Sequence, residues 1–191
     1  MAAPALAPVV VGVSGASGTP YALDLLRALK QAGVEVHLVV SEGAARVLEA
    51  ELEAGPEALF ALADVRYDER DLAAPIASGS FPTRGMVVVP ASQATLARVA
   101  YGLADNLIAR AAFVHLKEGR PLVLVPRETP LPLPALRAMT AAAEAGAVIL
   151  PASPGFYHRP AKVEDLLRFV TQRILDRLGI ALDWAPRWGG P

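Results

Sequence analysis

The chain contains no cysteine. That single absence removes disulfides, thiolate nucleophiles and cysteine-based metal sites together. Histidine is scarce too: only His37, His115 and His158 occur, without metal-ligand spacing, so no metal cofactor is indicated. Neither sign of charge dominates, with 18 Lys and Arg against 19 Asp and Glu and a net charge of −1. The basic residues are scattered, which leaves no electrostatic footprint for nucleic acid. No apolar run approaches the roughly 20 residues of a membrane span. The segment Met1 to Pro8 has neither the basic start nor the cleavage site of a signal peptide, so a cytoplasmic protein without a membrane partner is expected.

What the chain does have is apolar surface to bury: 53% of its 191 residues are hydrophobic, the size and composition of one α/β domain. Residues 1–191 read as a single unit, with a core at about 9–180 and a C-terminal tail at 181–191. Val9 to Val13 and Val34 to Val40 are β-branched runs, separated by Tyr21 to Gln31, where Leu25, Leu26 and Leu29 make a helical stripe. Three further buried runs, Met86 to Val89, Pro121 to Val125 and Ala147 to Leu150, bring the predicted parallel strands to five. Helix patterns fall between and after them at about Glu42 to Glu53, Ser92 to Gly102, Asn106 to Lys117, Leu133 to Ala145 and Val163 to Leu178. The alternation predicts an α/β doubly wound parallel sheet, whose ligands collect at the carboxyl ends of the strands. Arg66 to Arg84 lacks periodicity and reads as a long loop. The tail Asp183 to Pro191, with Trp184 and Trp188, is too short to make its own core and is expected to dock on a neighbouring surface.

The first strand discharges into Gly12-Val13-Ser14-Gly15-Ala16-Ser17-Gly18 and then a helix, an arrangement in which backbone N–H groups and the helix dipole bind an anion. The spacing does not match the dinucleotide fingerprint G-x-G-x-x-G, and the second strand ends at Ser41 instead of an acidic ribose ligand. FMN fits better than NAD. A tight strand-to-helix turn would also need these glycines, but two hydroxyls inside the turn and Ser41 on the adjacent edge favour a ligand.

The remaining strand ends each allow two readings. Ser92, in Pro90-Ala91-Ser92-Gln93-Ala94-Thr95, is a plausible N-cap with Thr95 three residues on, and ordinary capping explains both as well as a ligand does. Arg127 and Glu128 follow the fourth of these strands, where a guanidinium suits a phosphate and where an ion pair with Lys117 or Arg110 is the competing reading. Pro151 to Pro160 is a rigid loop whose Phe156 and Tyr157 either stack on a flat ring or fill the core edge. Arg173 lies beside its helix's apolar stripe and by itself suggests no role. His37 reads as a packed core or edge imidazole and His115 as a helix-face residue.

The ordered set Gly12 to Gly18, Ala77-Ser78-Gly79-Ser80, Pro90-Ala91-Ser92, Asp105-Asn106-Leu107, Leu116-Lys117-Glu118, Arg127-Glu128-Thr129-Pro130 and Pro154-Gly155-Phe156-Tyr157-His158-Arg159-Pro160 resembles the UbiX-type flavin prenyltransferases. The likeness runs from about Val9 to Ile180. It implies a three-layer, Rossmann-like (flavodoxin-like) subunit that joins the dimethylallyl group of dimethylallyl monophosphate to reduced FMN without metal, making prenylated FMN for a UbiD-type decarboxylase, within a homododecamer whose sites lie where subunits meet.

The same resemblance implies the roles of residues. Gly15, Ala16, Ser17, Gly18, Ser41, Ser92, Gln93, Ala94, Thr95 and Arg127 would hold FMN. Tyr157, Arg173, Lys117 and Arg110 would hold the prenyl phosphate, and Glu51, Glu128, Lys117 and Ser17 would serve catalysis. The chain departs from the family at Ala91 and Ala94, where relatives often carry Cys or Lys, and at Leu72, where some have an aromatic. In Glu49-Ala50-Glu51-Leu52 the site carboxylate depends on register, and Glu51 is favoured over Glu49. Two other functions compete: an FMN carrier without chemistry, and a flavin-dependent cysteine decarboxylase of related fold, against which the missing cysteine counts.

Overall fold

The computed structural model describes residues 7–189. Most of the Met1 to Pro8 segment, and the end of the tail at Gly190 and Pro191, lie outside the described residues. Strands β1 (Val9–Val13), β2 (Val36–Val40), β3 (Val65–Tyr67), β4 (Gly85–Ala91), β5 (Leu122–Pro126) and β6 (Val148–Ile149) form one parallel sheet in the order β3-β2-β1-β4-β5-β6. Helices α1 (Thr19–Gln31), α2 (Glu42–Glu51), α3 (Glu57–Phe60), α4 (Gln93–Ala100), α5 (Leu107–Lys117), α6 (Leu133–Glu144) and α7 (Val163–Arg177) complete the three layers.

The central strands are apolar on both faces because helices cover both. Val9, Val11 and Val13 point into one core with Leu25, Leu26 and Leu29 of α1, Leu48 of α2 and Val170 and Ile174 of α7. Val10 points into the other, with Val99 of α4, Leu107 and Ile108 of α5 and Ala142 of α6. Strand order reverses between β1 and β4, so the ligand crevice of such a sheet lies at the carboxyl ends of these two strands. There Ser14, buried, donates from Oγ to the Pro90 carbonyl at 2.9 Å and accepts from the Ser92 amide at 2.8 Å, which fastens the two strand ends together.

The sheet has six strands instead of five. Val-Arg-Tyr at 65–67 is a half-buried edge strand bonded to β2 alone, too short and too polar at its centre to announce itself. The following segment holds a 3-10 turn at Pro75–Ala77 with Ile76 buried, so the expected long loop is partly ordered against the core. His37 is a buried edge imidazole held between Glu35 and the Tyr67 hydroxyl, each at 2.9 Å. His115 is fully buried, with Nε2 2.8 Å from Thr83 Oγ1 and Nδ1 2.7 Å from the Ala111 carbonyl. Burial pushes its pKa down to about 4, so it is a neutral core residue.

The tail docks on its own domain. The Trp184 ring donates from Nε1 to Asp24 of α1 at 2.8 Å, beside the Thr171 hydroxyl of α7, which donates to the same oxygen at 2.6 Å. Gln172 accepts from the amides of Trp184 and Ala185 at 2.7 and 3.1 Å.

Candidate functional site

Helix α1 starts at Gly18, whose left-handed backbone (φ 114°) favours glycine and offers no side chain to cap the first amides. The cap arrives from elsewhere. Glu51, the last residue of α2, accepts from the Gly18 amide at 2.9 Å, from the Thr19 amide at 2.8 Å and from the Thr19 hydroxyl at 2.7 Å, all at Oε2. A carboxylate is thus seated where the free amides and the helix dipole favour negative charge. Partial burial by itself would raise the Glu51 pKa, but hydrogen bonds from Ser17, Thr19 and the Gly18 and Thr19 amides outweigh it and hold the group below its ordinary value. Glu49 instead lies against Gly55.

The turn preceding this seat is closely packed. At Gly15 a Cβ would stand 3.1 Å from the Gly43 carbonyl carbon, so the turn and α2 approach closely enough that any side chain there would require the backbone to give by a few tenths of an ångström. Arg127, leaving β5, donates from Nε to the Ser17 carbonyl at 2.8 Å. The competing ion pair of Arg127 and Glu128 with Lys117 or Arg110 is not formed: Arg110 donates to the Ala77 carbonyl at 3.2 Å, and Lys117 pairs with Glu118 at 2.7 Å. Glu128 accepts from the Thr129 amide at 3.2 Å and lines a cavity of about 300 Å³ with Arg127, Pro151 and Ser153.

Ser41 and Ser92 cap helices, accepting from the amides of Ala44 at 3.1 Å and Thr95 at 3.3 Å; Ser92 also donates to the Thr95 hydroxyl at 3.1 Å. Next to Ser92, the Gln93 amide has its oxygen and nitrogen both buried with no partner among the described residues. A buried amide without partners is costly and calls for a polar ligand or a neighbouring chain. Gln93 and the Gly15–Gly18 turn lie at the same carboxyl edge of β1 and β4, and the unpartnered Gln93 amide there fits a ligand with a polar ring edge such as a flavin, while the Gly18 and Thr19 amides are already taken by Glu51.

Within one chain, the structure divides the sequence-derived residues into three groups. Gly15 to Gly18, Ser41, Glu51, Ser92 to Thr95, Arg127 and Glu128 gather at the carboxyl edge of the sheet. Tyr157 and Arg173 line a cavity of about 270 Å³ over α7, and Arg173 also borders another with Pro151 and Ser153, which line the Glu128 cavity too. Tyr157 stands edge-on to Phe169 at 5.7 Å and to the tail's Trp188 at 5.2 Å, but it and Phe156 stay exposed, so neither aromatic fills the core edge. Lys117 closes α5 just before β5 begins and thus sits at the amino edge, away from Ser17, while Arg110 on the same helix reaches toward the 75–77 turn. Sequence reading missed Thr19, Asp176 and Arg187, and took the Ser14 hydroxyl for a ligand group where it ties β1 to β4. Thr19 carried a signal, a hydroxyl beside Pro20 at the helix start, whereas Asp176 and Arg187 carried none.

The Flavoprotein family matches residues 5–174 of the chain. The flavin prenyltransferase UbiX of Deinococcus radiodurans is 59% identical over 182 residues, covering 94% of this chain and 92% of that protein. The crystal structure of AnUbiX in complex with FMN and dimethylallyl pyrophosphate superposes with a TM-score of 0.94 at 43% identity, covering 96% of this chain and 98% of that one. A dodecameric FMN-dependent UbiX-like decarboxylase from Escherichia coli O157:H7 gives a TM-score of 0.92 at 44% identity, over 96% of this chain and all of that one. With the glycine turn, the α1 oxyanion seat and the partnerless Gln93 at one sheet edge, and with relatives of this identity and coverage, the chain belongs to the UbiX-type flavin prenyltransferases of the Flavoprotein family.

Proposed function

We propose that this protein joins the dimethylallyl group of dimethylallyl monophosphate to reduced FMN, at N5 and C6, and releases prenylated FMN to a UbiD-type decarboxylase in the cytoplasm. The observation that carries this reading is the carboxylate seat at α1: three groups donate to one Glu51 oxygen, with Arg127 bonded to the adjoining turn. Reduced FMN, when bound, supplies the nucleophilic ring atoms. Gly15, Ala16, Ser17, Gly18, Ser41, Ser92, Gln93, Ala94, Thr95 and Arg127 hold it.

Arg110, Lys117, Tyr157 and Arg173 hold the prenyl phosphate. As the allylic C–O bond breaks, Lys117, Arg127 and Arg173 stabilise the charge that gathers on the departing phosphate. For the second ring bond the prenyl alkene takes a proton at one carbon, from the released phosphate, while its other carbon bonds to C6 and a Glu128 carboxylate oxygen accepts the C6 proton; Glu51, its anionic form favoured by the α1 amides, manages the proton on the phosphate. Ser17 orients the phosphate from the turn.

The placement of Lys117 and Arg110 away from Ser17 within one chain supports a site assembled from several subunits, as a homododecamer would allow. Exposed apolar side chains such as Tyr101, Leu103, Leu133 and Leu136 support burial against further copies. Among the described residues no helix is long and apolar enough to cross a membrane.

Anaerobic incubation with reduced FMN and dimethylallyl monophosphate should yield a flavin heavier by one prenyl group. Glu128→Gln should retain FMN while product formation falls by about a hundredfold or more. Recovery of unmodified FMN from the wild-type reaction would leave only a carrier.

A further inference from the structure

Arg173 does not stand alone on α7. Its Nη1 lies 3.5 Å from Oδ2 of Asp176, one turn further along the helix, a long and single contact. The same carboxylate is gripped much better from the tail, where Arg187 donates from Nη2 to Oδ1 at 2.8 Å and from Nη1 to Oδ2 at 3.1 Å, a forked pair. Gln172 adds a bond to Oδ1 at 3.1 Å. Burial would raise the Asp176 pKa, but the bonds from Arg187 and Gln172, with the charges of Arg187 and Arg173, keep it below its ordinary value, so Asp176 is a standing negative charge. Its side chain is 23% exposed, against 51% for each arginine. All three line the cavity that holds Tyr157, and Trp188, next in sequence to Arg187, stands edge-on to the Tyr157 ring.

A carboxylate beside a phosphate site is a hazard in two ways. It competes with the phosphate for the guanidinium, and it repels the incoming anion. Both effects shrink when a second guanidinium occupies it. We propose that Arg187 is a positioning residue for phosphate-monoester recognition: by occupying Asp176 it leaves the Arg173 guanidinium free to turn to the substrate phosphate. The tail is then part of the site through its charge as well as through the packing of Trp188. This rests on the reading of Arg173 as a phosphate ligand and adds the pair that sets its availability.

The test is calorimetric titration of the FMN-loaded protein with dimethylallyl monophosphate. Arg187→Ala should weaken binding about tenfold, because Asp176 then closes on Arg173 in a charge-assisted bond that the phosphate must break. Adding Asp176→Asn in that background should bring the Kd back to within about twofold of wild type, since the neutral amide no longer ties Arg173 or repels the phosphate. FMN affinity should be the same in all three proteins. Wild-type affinity in Arg187→Ala would overturn the proposal. So would a double variant as weak as the single one, because lost tail packing is not repaired by neutralising Asp176. A wild-type protein that binds FMN but not the monophosphate would bring down the proposed function and this inference together, whereas normal binding and turnover in every variant would bring down the inference alone.

Discussion

Glu51 and Asp176 are both held below their ordinary pKa, and by different means. Glu51 is held by backbone amides and neighbouring hydroxyls at the start of α1, groups fixed in place by the helix itself. Asp176 is held by the guanidinium of a tail residue and by an amide side chain, groups that lose rotamer freedom when they bind. The first arrangement keeps its two backbone amides whatever the side chains, and only the Ser17 and Thr19 hydroxyls can be removed from it by substitution. The second can be dismantled by one substitution eleven residues away. A site that uses both therefore has a stiff half and an adjustable half.

The sharpest way to break the stiff half is Gly15→Val. Its Cβ would meet the Gly43 backbone, which has no flexible side chain to yield, so the turn must shift. A loss of about 2 to 3 kcal/mol in both stability and FMN binding is expected, read by urea unfolding and by flavin fluorescence titration. Undiminished FMN affinity would mean that the close approach of turn and α2 is not needed by the ligand.

The tail half breaks next at Asp24→Ala. This removes the partner of both the Trp184 ring nitrogen and the Thr171 hydroxyl, and about 1 to 3 kcal/mol of unfolding free energy should go with it. FMN binding at the other edge should not change, so a parallel loss of flavin would show that the two halves are not independent.

The smallest expected effect is that of acid on Glu51. Its folded pKa lies below the ordinary 4.5, so the stabilisation it gives is complete above that value and is lost as pH falls through the folded pKa. Glu51→Gln should flatten the fall of stability below about pH 4.5, by less than about 1 kcal/mol because the group is largely solvated. Denaturant unfolding at pH 7 and at pH 3.5 would show it. An unchanged slope would mean that the α1 seat does not discriminate between the charged and neutral carboxyl.

Much of this architecture was legible in the sequence. Long β-branched runs announce central strands because both faces are buried, and leucines three and four apart announce α1. The edge strand Val65–Tyr67 was not legible, since a short strand bonded on one side carries alternating polarity over too few residues for its period to appear. The turn from Gly12 to Gly18 announced an anion seat at the start of α1, which the chain's own Glu51 fills, and Ser92 declared a cap that the structure contains.

By itself, then, the sequence determined the layered parallel sheet, the glycine turn at its carboxyl edge and the residue types available there, because hydrophobic period and glycine placement are local properties of the chain. Tertiary structure alone decided that Glu51 meets an amide 33 positions earlier, that Trp184 reaches Asp24 across 160, and that Arg110 and Lys117 are left away from Ser17 within one subunit. Such meetings depend on how α1, α2 and α7 pack over the sheet, and packing is settled by the fit of whole faces against one another, for which no short stretch of chain holds the information.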